Sequence, residues 1–114
     1  MVYPKKILII RFSSIGDIVL TTSFLSTIKT QFPESEVHFM TLDSFSSMLE
    51  NQPHIDRVLE LNSKSGYKDL SELNNFIKKS KYDKIFDLHS SIRSLFITMG
   101  LRDIVSRIKK PRLL

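Results

Sequence analysis

The sequence predicts an α/β fold: a doubly wound parallel sheet in a Rossmann-like three-layer sandwich. Short apolar runs bounded by charge alternate with longer stretches whose apolar residues recur every three or four positions. At 114 residues, 41% apolar and 25% charged, the chain has the composition of an ordinary globular protein with one core. No repeat, low-complexity tract or linker divides it. Strands that alternate with helices pair in parallel, because each right-handed crossover returns the chain to the same end of the sheet.

The elements follow in order. Lys5-Lys6-Ile7-Leu8-Ile9-Ile10-Arg11 reads as a strand covered on both faces. Phe12 to Gly16 is a loop. From Asp17 a helix is expected, with Leu20, Phe24 and Ile28 on its apolar stripe, Val19, Leu25 and Phe32 widening it, and Pro33 closing it. Glu36 to Leu42 is a second strand, after which Asp43 or Ser44 is placed to cap a short helix running to Glu50, before Pro53. Arg57 to Leu61 is a third strand and Asn62 to Gly66 a polar turn. Leu70, Leu73, Phe76 and Ile77 mark the next helix, and Lys84 to Leu88 a fourth strand. Ile92 to Leu101 reads as helix, and Ile104 to Ile108 as a short fifth strand. With strand order 3-2-1-4-5, the order reverses between the first and fourth strands. Ligands of such sheets bind beyond the carboxyl ends at that point. The loops Phe12–Asp17 and His89–Arg93 would then share one crevice.

Several classes are excluded. The chain has no cysteine, which removes disulfide scaffolds, cysteine-ligated metals and thiol catalysis. The apolar run Ile7 to Ile10 falls short of the ~20 residues of a transmembrane helix and the ~7–15 of a signal-peptide core. A cytoplasmic location is expected. The net charge is +5, and Arg102, Arg107, Lys109, Lys110 and Arg112 crowd the end, opposed only by Asp103. A solvated, poorly ordered basic tail is the favoured reading, ahead of a contact with nucleic acid, anionic lipid or a phosphorylated substrate. No nucleic-acid partner is expected.

The first loop, Arg11-Phe12-Ser13-Ser14-Ile15-Gly16-Asp17, has one glycine, so it is neither a dinucleotide fingerprint nor a phosphate-cradling loop. Gly16 suits a tight turn or close approach to a ligand. Ser13 and Ser14 are placed to cap the helix. Asp17 is either a carboxylate satisfied by the helix start or a general base that takes a proton from an attacking hydroxyl. The later loop, Asp87-Leu88-His89-Ser90-Ser91-Ile92-Arg93-Ser94, offers a cap at Ser90 or Ser91. Its Arg93 has a planar fork suited to phosphate or carboxylate, or else lies on the helix surface. His89 reads first as a hydrogen-bonded structural side chain. Arg57 and Lys64 are read as facing water. His38 and His54 have no partner at metal-ligand spacing and no D-x-D occurs, so no metal site is expected.

Three segments in fixed order carry a resemblance. They are Lys6-Ile-Leu-Ile-Ile-Arg-Phe-Ser-Ser-Ile-Gly-Asp-Ile-Val-Leu-Thr-Thr22 with Phe24-Leu25, Pro53-His54-Ile55-Asp56-Arg57-Val58, and Tyr82-Asp83-Lys84-Ile85-Phe86-Asp87-Leu88 followed by Ser90 to Ser94. Together they resemble the N-terminal domain of glycosyltransferase family 9, the ADP-heptose:lipopolysaccharide heptosyltransferases. The resemblance implies the N-terminal half of a GT-B fold, with residues 1–114 as the acceptor-side domain and the C-terminal nucleotide-sugar domain absent, as in a truncated chain. It implies inverting transfer of heptose from ADP-heptose to a lipid-linked acceptor in the lipopolysaccharide inner core. No metal or cofactor takes part, and the ADP-sugar is a co-substrate. Asp17 falls on the proposed base. Ser13, Ser14 and Gly16 fall on the pocket lining, and Arg93 on the basic residue that meets the anionic acceptor. His89 and Ser90 stand where the family commonly has glutamine and glycine. A peripheral contact with the cytoplasmic face of the inner membrane stays open. The alternative is a stand-alone, non-catalytic Rossmann-like module for an anionic glycolipid or a protein partner. A response-regulator-like domain is disfavoured, since Ser13 and Ser14 replace the paired acids such domains carry.

Overall fold

Ile7, Leu8, Ile9 and Ile10 are all fully buried, which an apolar run achieves only with a packed layer on each face. The computed structural model, which describes residues 4–107, shows those layers. The elements run β1 (Lys6–Ile10), α1 (Ile15–Gln31), β2 (Glu36–Leu42), a 3-10 helix (Asp43–Leu49), β3 (Arg57–Leu61), α2 (Tyr67–Ser80), β4 (Lys84–Asp87), α3 (Ile92–Ile97) and β5 (Val105–Arg107). The sheet order is β3-β2-β1-β4-β5, and all four neighbouring pairs are parallel. This is the doubly wound α/β arrangement expected, and its order reverses between β1 and β4.

Side-chain alternation along β1 splits the core in two. Ile7 and Ile9 pack with Val37 and Phe39 under Ile18, Leu25 and Ile28 of α1. Leu8 and Ile10 pack with Met40 and Ile85 under Leu70 and Ile77 of α2 and Ile97 of α3. Carboxylates staple the loop ends to the strands. Asp83 accepts the backbone N–H groups of Lys5 and Lys6, each at 2.9 Å, and so fixes the start of β1. Asp56 accepts the Val37 N–H at 2.7 Å and the Lys29 ammonium at 3.1 Å. Burial acts to raise the pKa of Asp56, but these two partners hold it below the ordinary value.

Several local expectations are corrected. Helix α1 starts at Ile15 and buries Ile18, Thr21, Leu25 and Ile28, whereas Leu20 is 72% and Val19 52% exposed. Apolar residues surround this helix, so periodicity alone did not select the inner stripe. The segment after β2 is a 3-10 helix with Leu42 at its N-cap and no side-chain cap, so neither Asp43 nor Ser44 caps it. In α2, Phe76 is 38% exposed although it sits in the periodic set. Helix α3 stops at Ile97, and the chain turns through Gly100, whose φ of 85° lies in the left-handed region that glycine adopts without strain. Strand β4 ends at Asp87 and β5 spans Val105–Arg107; Ile108, Lys109, Lys110 and Arg112 lie outside the described residues. Arg107, counted with the basic end, lies in the fifth strand as the sequence predicted, and it pairs with Asp87.

Candidate functional site

The parallel register sets Ile10 opposite Asp87, so β1 and β4 end level and the chain leaves both strands side by side. Arg11 follows β1. Its side chain is 4% exposed and its Nη2 lies 2.5 Å from a carboxylate oxygen of Asp17, which is 31% exposed. Its Nη1 donates to the Leu88 carbonyl, the last peptide oxygen before His89. One buried guanidinium thus holds the candidate base with one edge and the start of the later loop with the other. The Phe12 and His89 rings meet across the same gap, 4.9 Å between centroids. The structure therefore brings the two loops together, as the strand order implied.

Asp17 lies in the first turn of α1, where its carboxylate also accepts the Ser14 hydroxyl at 3.1 Å. Ser14 holds the N-cap position with extended backbone but makes no side-chain cap bond, because its hydroxyl turns to Asp17 instead. The capping role expected of it is thus replaced. Ser13 is half-buried beside it. Gly16 lies in the helix, is exposed, and has open space around the position of a Cβ. The tight turn expected of it is absent. Ile15 at 55% and Ile92 at 81% exposure stand at the starts of the two flanking helices.

The second loop is built around Asp87, which is fully buried. Its Oδ1 accepts the backbone N–H groups of His89 at 3.1 Å and Ser90 at 2.8 Å, and its Oδ2 accepts Arg107 Nε at 3.1 Å. This turn puts Ser90 at φ 51°, the left-handed region where glycine costs nothing and serine about 1–2 kcal/mol. Ser91, one of the two expected caps, accepts the Ser94 N–H at 3.2 Å and donates its own to Ser94 Oγ at 2.8 Å. His89 is half-buried and Ser90 exposed. Arg93 turns toward the next loop, where Nη2 donates to the Ser63 carbonyl at 3.2 Å. It ties the α3 start to the β3–α2 turn, beside a cavity of about 490 Å³ lined by Glu60, Asn62, Lys64, Asp69 and Glu72 among others.

Sequence reasoning missed three of these residues. Arg11 left a usable signal, a charge closing a fully apolar strand six positions before Asp17. Asp87 left a weaker one, a carboxylate on a buried strand. Arg107 left none, because its partner is set by the β4–β5 register. Among the described residues no cluster of histidine and carboxylate groups suits a metal ion, and no helix is long and apolar enough to cross a membrane.

No family model matches the chain. Lipopolysaccharide heptosyltransferase 1 of Campylobacter coli is 30% identical over 95 residues, which are 82% of this chain and 28% of that enzyme. The crystal structure of a family 9 glycosyl transferase from Veillonella parvula superposes with a TM-score of 0.76 at 21% identity, covering 93% of this chain and 36% of that one. E. coli heptosyltransferase WaaC, solved with ADP-2-deoxy-2-fluoro heptose, gives a TM-score of 0.64 at 17% identity, covering 90% and 35%. The chain spans little more than a quarter of the curated relatives it matches. By sequence and by fold together, its kin are the lipopolysaccharide heptosyltransferases of glycosyltransferase family 9.

Proposed function

We propose that the chain is the acceptor-binding part of an inverting, metal-independent glycosyltransferase that moves heptose from ADP-heptose to the lipopolysaccharide inner core, with Asp17 as general base. The observation that supports this reading is the Asp17 carboxylate, part-exposed at the β1–β4 reversal and held by a buried arginine. A carboxylate so placed can accept a proton from a ligand bound beyond the strand ends. Asp17 takes the acceptor hydroxyl proton as that oxygen bonds to the anomeric carbon. The bond from this carbon to the diphosphate oxygen breaks on the opposite side, and ADP departs with the electron pair.

Ser13, Ser14 and Gly16 form one wall of the acceptor site, and His89, Ser90 and Arg93 the other. Arg93 has N–H groups beyond the one given to Ser63, and these suit an anionic sugar. The donor belongs to a second domain, so residues 1–114 alone transfer no sugar. The setting is cytoplasmic, at the inner-membrane face where a lipid-linked acceptor is reached. The non-catalytic module is not favoured, since the relatives are transferases.

Titration of the ¹⁵N-labelled chain with a deacylated, heptose-lacking inner-core acceptor tests this. Shift changes should gather at residues 12–17 and 88–93, and ADP-heptose should leave them unmoved. Shifts confined to other surfaces would remove the assignment. In a transferase carrying this domain, Asp17→Asn should lower turnover by roughly 10²–10⁴, the range for a lost general base. Near wild-type turnover would return Asp17 to a structural role.

A further inference from the structure

We propose that Arg107, on the edge strand, is a positioning residue for the His89–Ser91 wall of the candidate site. The inference rests on the acceptor-site reading above only for what that wall contacts. Three observations carry it. Asp87 has no solvent exposure, and its carboxylate splits its work: Oδ1 binds the N–H groups of His89 and Ser90, and Oδ2 faces Arg107 Nε at 3.1 Å. The same guanidinium donates from Nη2 to Thr98 Oγ1 at 2.7 Å, and Thr98 is itself buried at the end of α3. Thr98 Oγ1 in turn donates to the Ser94 carbonyl at 2.8 Å, and Ser94 pairs with Ser91 at the start of α3.

Arg107 therefore reaches the wall by two routes, through Asp87 to the backbone of His89 and Ser90, and through Thr98 and Ser94 to Ser91. The planar fork can serve both at once because Nε and Nη2 carry separate N–H groups on one rigid frame. A buried carboxylate left without its cation is costly and tends to find another partner or water. Either response would release the two N–H groups that hold Ser90 in its left-handed turn. The Arg107 side chain is one-third exposed and bonds to Asp87 and Thr98, so its influence on the wall passes through these two residues. Together with Arg11, it makes the site a crevice framed by two arginines, one just after β1 fixing the base and one on β5 fixing the facing loop.

The test uses NMR of the whole 114-residue chain and needs no substrate, so it can fail while the acceptor reading stands, and the reverse. In the wild type, Arg107 Nε–H should exchange with water at least about tenfold more slowly than that of the exposed Arg102, as expected for a hydrogen-bonded group. In Arg107→Met, exchange of the His89 and Ser90 amides should quicken by about tenfold or more. The His89 ring protons should lose the shift induced by Phe12, while the β1 and β2 amides stay within about twofold. Arg107→Lys should restore the His89 ring shift in part, since an ammonium reaches Asp87 but not Thr98 with the same fork. An Arg107 Nε–H that exchanges as fast as that of Arg102 would overturn the proposal. So would an Arg107→Met spectrum in which His89 and Ser90 are unmoved.

Discussion

The Arg11–Asp17 pair makes an asymmetric demand on stability, and a double-mutant cycle measures it. Arg11 is 4% exposed and Asp17 31%, so water reaches one partner and not the other. Asp17→Asn removes the charge that compensates a desolvated guanidinium. Breaking a buried pair in that way costs ~3–5 kcal/mol. The amide oxygen of asparagine still accepts a bond and the site is partly wet, which reduces the cost to about 2 kcal/mol. Arg11→Met removes the buried charge itself, fills much of the same volume, and leaves Asp17 with water and the Ser14 hydroxyl. What remains is the lost bond to the Leu88 carbonyl, about 1 kcal/mol. The double variant should also cost about 1 kcal/mol, because asparagine then has no stranded cation opposite it, and the coupling is about 2 kcal/mol. Urea denaturation followed by circular dichroism gives these values, and melting temperatures should move by roughly 4 °C per kcal/mol. If Asp17→Asn costs no more than Arg11→Met, or the double variant costs their sum, the account of a buried cation neutralised by Asp17 is wrong.

Two further outcomes follow from the structure. Gly16→Ala should raise stability by roughly 0.5 kcal/mol, because the position is helical and a methyl group meets open space; the same change should weaken acceptor binding, and a variant that is both more stable and equally competent would leave Gly16 without a ligand-related role. Tyr82 is pushed up to about 12 by burial, with Arg57 opposing that rise and Glu36 adding to it. A phenol whose folded pKa exceeds its unfolded value contributes stability fully below pH ~10, and loses that contribution as pH rises from ~10 toward ~12. The urea midpoint should therefore fall across that interval, and Tyr82→Phe should flatten the fall; an equal decline in both proteins would show that other groups cause it.

How much was legible in advance depended on the range over which each interaction acts. The run Ile7 to Ile10 announced a doubly covered strand because four adjacent apolar side chains cannot all face one layer. The alternation of runs announced parallel pairing, and strand order then brought the Phe12–Asp17 and His89–Arg93 loops to one crevice. The inner stripe of α1 was not legible, since Leu20 and Leu25 are equally apolar and only packing against Ile9 and Phe39 distinguishes them. Nor did Ser14 declare whether its hydroxyl would cap the helix or turn to Asp17, because both partners lie within one turn.

Local chemistry thus determined which residues could act: a carboxylate at a helix start, a serine pair, an arginine and a histidine on a second loop, and the kinship those segments carry. Tertiary structure decided which of them meet. Arg11 finds Asp17 across its own loop, but it reaches Leu88 only because β1 and β4 are neighbours, 77 residues apart in the chain. Arg107 finds Asp87 only through the β4–β5 register, and Arg93 is drawn to Ser63 rather than to Asp17. Side-chain identity sets what a group can bond, and the long-range pairing of strands sets what stands within reach.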